Sequence, residues 1–486
     1  TLIRHIRRKN LHLLPADTGV SPYLGVYLAA IFGVGIYCNK FNNSIDDYLL
    51  AGRRLGLGLA TGTLVATYFG GGYVIGVGGE AYTSGLTAYW SPVAGAVGIL
   101  AVCLILKKME GMNVYTVTEI MENRYNSPLL RLFTTILSLM ALIGILAGQV
   151  TSAGSILASL GIGSNAMCAI IVAAFFIGFT AFGGLWAVTV TDFIQIVVAS
   201  VGLISATVFV LLKSGGWDVI YAKLAEAQVP DQYFHLLKGT QPSYVLWLIM
   251  PMFIYTLIGQ DVYQRLFAAK DTKTAYRSAV LSCLILLVIC FFPVLLGMTA
   301  RALFPGMTVT SMAVPTIIRA TLPPVFSGFT LAAIVAAVVS TADSILTAAT
   351  SHVVNDLYMR YLCKDDPEDP SVPKRLLNLS RVMTLVVGVV SVVIALAIPS
   401  VLALLNYSYT LFTAGVFAPV VAGLLWKKAT KTGAFAGLFS GLAFVFLGWS
   451  GFSFFGIPSD IASSLLSVVV LVVVSLITYK PETAAA

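Results

Sequence analysis

The stretch Leu64-Val65-Ala66-Thr67-Tyr68-Phe69-Gly70-Gly71-Gly72-Tyr73-Val74-Ile75-Gly76-Val77-Gly78-Gly79 carries six glycines from Gly70 onward, three of them consecutive. It lies inside an uncharged run from residue 55 to 79, long enough to cross a bilayer, which takes about 20 apolar residues as a helix. Each glycine in a helix interior costs about 1 kcal/mol relative to alanine. Scattered glycines in such helices serve close packing. A triplet at mid-span favours an unwound segment, and non-helical backbone at that depth survives only where it lines a cavity or is buried in protein.

The rest of the chain supplies the membrane that this reading needs. Of 486 residues only 10% are charged, 29 Lys+Arg and 21 Asp+Glu, while 58% are hydrophobic. A soluble domain carries about 25% charge, so a disordered chain, a collagen-like chain and an ordinary soluble enzyme are excluded. Uncharged runs at 18–39, 55–79, 81–106, 193–212, 239–260, 278–300, 320–342, 432–459 and 461–479 each predict one span. Two longer runs predict two spans each: 132–191, parted at Gly161-Ile162-Gly163-Ser164-Asn165 and followed by a Gly183-Gly184 turn, and 382–426, parted near Pro399-Ser400. Thirteen transmembrane helices follow, leaving residues 1–17 as an amino-terminal arm and 480–486 as a tail.

Basic residues set the direction. With the amino terminus outside, 20 of the 29, among them Arg53, Arg54, Arg124, Arg131, Arg360 and Lys427, fall in inside loops, which places the carboxyl terminus in the cytoplasm of a plasma or inner membrane. Arg4, Arg7, Arg8 and Lys9 oppose that count and are read as an amphipathic arm on anionic headgroups. The net charge of +8 is accounted for by loops beside lipid and needs no nucleic acid. The six cysteines have no metal-ligand spacing and read as small hydrophobes. No nucleophile elbow, phosphate loop with lysine or His-Glu-x-x-His is present, so no enzyme and no organic cofactor is expected.

A second interruption, Tyr255-Thr256-Leu257-Ile258-Gly259-Gln260-Asp261-Val262-Tyr263-Gln264-Arg265, comes five spans after the first. Residues 55–213 and 239–426 therefore read as inverted repeats of five helices, each opening with a broken one, the pattern of a secondary transporter with its site between the breaks. Tyr68, Gly70, Gly71, Gln149, Tyr255 and Gln260 are the candidate solute residues, although Gln149 serves equally as an interhelical hydrogen bond. Ser340 and Thr341, with Ala337 one turn earlier, offer oxygens to a small hard cation. The bland alternative is that such hydroxyls bond back to their own helix. Asp192 is either a cation residue or an interfacial cap, and Asp343 is similar. Asp261 and Arg265, four apart, are placed to pair with each other.

At these motifs the chain resembles the sodium/solute symporter family. The likeness runs from Asp46-Asp47-Tyr48-Leu49-Leu50-Ala51-Gly52-Arg53 to Thr432-Gly433-Ala434, through Thr191-Asp192-Phe193-Ile194-Gln195, Gln264-Arg265 and Ser340-Thr341-Ala342-Asp343-Ser344. It implies an all-α, LeuT-like 5+5 inverted-repeat fold with an extra first helix at 18–39, two carboxyl-terminal helices within 432–479, and sodium-coupled uptake of a small organic solute by alternating access. Residue by residue, it implies sodium ligands at Ala66, Phe69, Ala337, Ser340 and Thr341, a further sodium role for Asp192, and an aromatic inner gate at Tyr255. Tyr68 and Gly259 stand where choline-carrying members have cage tryptophans, and Ile145 where sialic-acid-carrying members place an arginine. A small zwitterion, carboxylate or neutral polar solute is the expected substrate. A solute-sensing receptor module and a channel are the alternatives from other classes.

Overall fold

The computed structural model describes residues 21–480 except 107, 109–113, 160, 162, 239, 364–371, 399–400 and 453–456. The expected arm at 1–17, the tail beyond Lys480 and the Pro399-Ser400 turn lie outside the described residues. The helices are α1 Ser21–Cys38, α2 Ile45–Leu50, α3 Leu57–Tyr68, α4 Val77–Ser84, α5 Trp90–Leu106, α6 Val117–Tyr125, α7 Pro128–Ser159, α8 Asn165–Lys213 and α9 Trp217–Glu226. There follow α10 Pro242–Ile258, α11 Gln260–Ala268, α12 Thr272–Ile289, α13 Phe291–Leu303, α14 Ala313–Thr321, α15 Pro324–Ser351, α16 Val372–Ala397, α17 Val401–Leu425, α18 Lys431–Trp449 and α19 Ser459–Thr478. Side chains fix several starts in the way free N–H groups demand: Ser44, Thr116 and Asp271 accept from the amides of Asp47, Glu119 and Thr274 at 3.1, 3.3 and 2.6 Å.

Among the described residues nine helices are long and apolar enough to cross a membrane, or ten if the bent pair α10 and α11 counts as one span. Thirteen are not reached by that measure, for a physical reason. Gly72–Leu106, which joins the end of one expected span to the next, and Asn165–Lys213, which joins two, each count once, and α3 has only 12 residues.

In α8 the expected Gly183-Gly184 turn exists as a kink rather than a break. Gly184 has φ 55° and ψ −162°, and a Cβ there would meet Tyr48 Cδ2 at 2.6 Å. The Tyr48 hydroxyl donates to the carbonyls of Thr180 and Ala181 at 3.3 and 3.2 Å, so its ring occupies the bend where helical bonding is weakened. This backbone region is open essentially to glycine alone, and occupying it with another residue costs of order 1–3 kcal/mol. Gly184→Ala should therefore lower the thermal unfolding midpoint measurably in detergent; an unchanged midpoint would show that the kink can straighten at no cost.

Helix α15 is the central post. Every residue from Thr330 to Ser351 is buried, as expected of a helix apolar on all sides, and it packs against α7, α8 and α3. The outer helices are the opposite: Val390 and Val393 on α16 and Val473 and Ile477 on α19 are 41%, 61%, 50% and 77% exposed. Exposed aliphatic stripes on this scale suit lipid, not water.

Candidate ion and solute site

The glycine triplet does interrupt its helix. Phe69, at φ −81° and ψ 63°, forms an inverse γ-turn, in which the Gly70 amide donates to the Tyr68 carbonyl at 2.9 Å. In an unbroken helix that amide would bond Ala66. The freed Ala66 carbonyl instead accepts from Thr341 Oγ1 at 2.8 Å, joining α3 to α15 at mid-depth. Thr341 Oγ1 and Ser340 Oγ also donate to the Ala337 carbonyl, at 3.2 and 2.8 Å. Ala66, Ala337, Ser340 and Thr341 thus form one knot of oxygens, with Phe69 as the turn that frees them. The contact requires glycine, because a Cβ on Gly70 would fall 2.1 Å from Thr341 Oγ1.

Where α8 meets these two helices lies a second polar cluster. Asp192 is fully buried, not at an interface. Its Oδ2 accepts from Thr63 Oγ1 at 2.6 Å and Ser344 Oγ at 3.3 Å, and its Oδ1 has no hydrogen-bond partner. Thr67 Oγ1 donates to Ser344 Oγ at 3.2 Å. Nearby, Asp343 accepts from Thr180 Oγ1 at 2.6 Å, and its other oxygen is also unpartnered. A buried carboxylate oxygen without a donor costs free energy unless a cation completes it. Thr63 and Thr180 carried no signal of this in sequence, since each is one hydroxyl in an apolar helix.

Between the two broken helices is a cavity of about 150 Å³. Its partly exposed end holds Glu80, Ser91, Trp247 and Pro251; its buried floor holds Thr67, Tyr68, Tyr255, Asp261 and Thr341. Of the solute residues expected from sequence, Tyr68, Gln149 and Tyr255 line it. Gly70 and Gly71 do not line it, although Gly71 reaches Gln149 by donating its amide to Oε1 at 3.0 Å. Gln260 is elsewhere: its Oε1 accepts from Val117 N at 3.0 Å and its Nε2 donates to Tyr115 O and Ser351 Oγ at 2.9 and 3.2 Å. Nor do Asp261 and Arg265 form the expected ion pair. The Tyr255 hydroxyl donates to Asp261 Oδ1 at 2.9 Å, and Arg265 donates to the Asp261 carbonyl, Gln264 and Thr347.

Beyond this floor the protein is closed by a buried ionic network that sequence reading did not find. Asp356 accepts from Arg131 Nη2 and Nε at 2.6 and 2.9 Å and from the hydroxyls of Thr116 and Thr118 at 2.7 and 2.6 Å, with His352 Nδ1 at 2.5 Å. Ser138 Oγ bonds the other ring nitrogen of His352 at 2.7 Å. Arg131 also bonds Glu122 at 2.9 Å, and Arg360 bonds Glu122 at 2.7 Å. Burial opposes ionisation of the Glu122 carboxyl, but the Arg360 and Arg131 guanidiniums prevail and hold it below the usual carboxylate range. The basic side chains Arg53 and Arg124 belong to the same end, Arg53 donating to Val114 O and Arg124 to Gly423 O, both at 2.9 Å.

Two interrupted helices around a cavity that is partly exposed at one end and closed at the other are the architecture of a secondary transporter. The model of the sodium:solute symporter family matches residues 48–441, and the chain belongs to that family. It is 29% identical over 472 residues to the high-affinity proline transporter of Bacillus subtilis (strain 168), covering 93% of this chain and 96% of that one. The sodium/pantothenate symporter of Escherichia coli (strain K12) is 27% identical, over 93% and 95% of the two chains. In structure, a Na+-coupled sialic acid symporter in a substrate-bound outward-open state superposes with a TM-score of 0.82 at 21% identity, over 94% and 97% of the chains. A nucleobase-cation-symport-1 family transporter in a closed conformation reaches 0.60 at 12% identity, over 90% and 96%. The fold is the LeuT-like inverted repeat, and the chain is a transporter, not an enzyme.

Proposed function

We propose that this chain imports a small organic solute by sodium-coupled alternating access, with residues 55–213 and 239–426 as its two repeats. The observation that carries the reading is Thr341, which faces the cavity and is hydrogen-bonded into the Ala66, Ala337 and Ser340 oxygens. A sodium ion held by those oxygens and the Phe69 carbonyl would replace the Thr341–Ala66 hydrogen bond, fixing the broken segment of α3 against α15 and with it the cavity wall. The ion thus organises the floor on which the solute rests. Asp192, with Thr63 and Ser344, is a second cation position, tied to the cavity through Thr67. Relatives named for proline and pantothenate transport support a solute of that size range.

The charged end supports the direction. Arg381 donates to Asn39 Oδ1 at 2.8 Å, so the end of α1 shares that face, and Lys428 sits 5.9 Å over the ring of Tyr479, so the carboxyl end of α19 does too. Assigning this basic face to the cytoplasm puts the amino terminus outside and makes the present state outward-facing. A channel needs a continuous path; here the cavity stops on Tyr255 and Asp261. The test is a thermal-stability screen of amino acids, amines, carboxylates, vitamins and sugars, followed by uptake of the hit into proteoliposomes. At 100 times Kd a ligand stabilises by about 2.7 kcal/mol, and that gain should require sodium. Uptake indifferent to exchanging sodium for potassium would sink the reading.

A further inference from the structure

The cavity floor carries an acid that no basic side chain pairs with directly. Asp261 is 3% exposed and lines the cavity, yet no lysine, arginine or histidine lines the same space, and none lies within 4 Å of its carboxylate among the described residues. Its one side-chain donor is the Tyr255 hydroxyl at 2.9 Å, and the backbone amides of Asp261 and Val262 also face the carboxylate, which with about four acceptor sites still has room for a further donor. Arg265, fully buried one turn further on, spends its N–H groups on the Asp261 carbonyl, Gln264 and Thr347, and its Nε is unpartnered. That single guanidinium stands among three buried carboxylates, Asp192, Asp261 and Asp343.

Of the three, Asp261 is the one that lines the cavity, and the walls around it suit a cation: five aromatic side chains line the cavity, with the Tyr255 and Tyr409 rings 4.9 Å apart and Tyr68 and Tyr73 6.1 Å apart. Aromatic faces attract cations and give a carboxylate nothing. A solute carboxylate would find hydroxyls, the Gln149 amide and the Trp247 indole N–H there but no fixed positive charge, and the nearby Gly71 N–H is already bonded to Gln149. Glu80 at the mouth adds a second acidic group that draws cations inward. We propose that the solute is an amine-bearing cation whose ammonium group binds Asp261 and Tyr255, without an obligatory carboxylate. This rests on the reading of the cavity as the solute site.

The test uses purified full-length protein and four-carbon chains that differ only in their ends: putrescine, 4-aminobutanol, 4-aminobutyrate, 1,4-butanediol and succinate, with the amines also varied from two to six carbons. Thermal stability is measured in sodium and in potassium. The expected result is stabilisation by putrescine or 4-aminobutanol, or a length variant of them, in sodium, with none from butanediol or succinate. Asp261→Asn should weaken amine binding by about tenfold or more, the loss of a bond to a charged group, while Asp261→Glu retains the preference for amines. Stabilisation by succinate or the diol and by no amine overturns the proposal and, if sodium-dependent, leaves symport standing. Silence from every amine, stabilisation by 4-aminobutyrate alone, or amine binding unchanged in a folded Asp261→Asn variant, also overturns it. Amine binding equal in sodium and potassium keeps Asp261 and removes the sodium coupling instead.

Discussion

Thr341→Ala should raise the sodium concentration needed for half-maximal solute binding by about 10- to 100-fold, because a contact between a polar group and a charge contributes about 1.5–3 kcal/mol and 1.4 kcal/mol is a factor of ten. Ser340→Ala should act in the same direction. Both hydroxyls now bond the Ala337 carbonyl, and only that of Thr341 reaches Ala66 across the gap to α3, so Thr341 carries the larger effect. Thr341→Ser keeps the oxygen and should restore most of the affinity, which separates a ligand role from packing. Gly70→Ala approaches the same point from the other side, since its Cβ would press on Thr341 Oγ1; because the two residues share one contact, the double variant should lose less than the sum. The measurement is a sodium titration of the thermal shift given by the transported solute. A titration midpoint unmoved in both alanine variants removes these oxygens from the ion site.

The interruption at Phe69–Gly71 was legible in sequence because helix propensity is local and three consecutive glycines outweigh it without help from tertiary packing. The meeting of Ser340 and Thr341 with Ala66 was legible only through family resemblance, since nothing in their 275-residue separation brings them together. Gln260 shows where such reading stops. Gln260 and Asp261 open the same short helix, about 100° apart around its axis, so only one can face the cavity; the backbone at Gly259, with φ −67° and ψ 123°, turns Asp261 inward and sends Gln260 to Tyr115 and Val117. That one dihedral pair is invisible in composition. Pairing of Asp261 with Arg265 failed for a related reason: the four-residue spacing is right, but the Tyr255 hydroxyl reaches the carboxylate and Arg265 meets the carbonyl instead. The expected thirteen spans came from counting charges, and helices that continue through two spans do not end where charge begins.

Asp356→Asn should release the closed end. Asp356 answers Arg131, His352, Thr116 and Thr118, and these groups come from α6, α7 and the segment after α15, elements that must separate if a solute is to leave on this side. Removing one partner of a buried ion pair costs about 3–5 kcal/mol, because the other charge stays buried and unpaired. If opening hydrates Arg131, that cost falls on the closed state alone, and 3 kcal/mol shifts the equilibrium toward the open one by about a hundredfold. A single cysteine at Ser351, which is buried and hydrogen-bonded by Gln260, reports the change once the six native cysteines are replaced: its alkylation rate should rise by about that factor in Asp356→Asn and fall back when sodium is added. Arg131→Gln should do the same, and the double variant should exceed neither single one by much, since both remove the same pair. Apparent sodium affinity should drop in parallel, because an ion that binds the outward state sees its Kd divided by the fraction of protein in that state. Faster labelling with unchanged sodium affinity would separate the network from alternating access and leave it a local clasp; unchanged labelling in a folded variant would show that the end is held shut by apolar packing, with the ions contributing position and no gate.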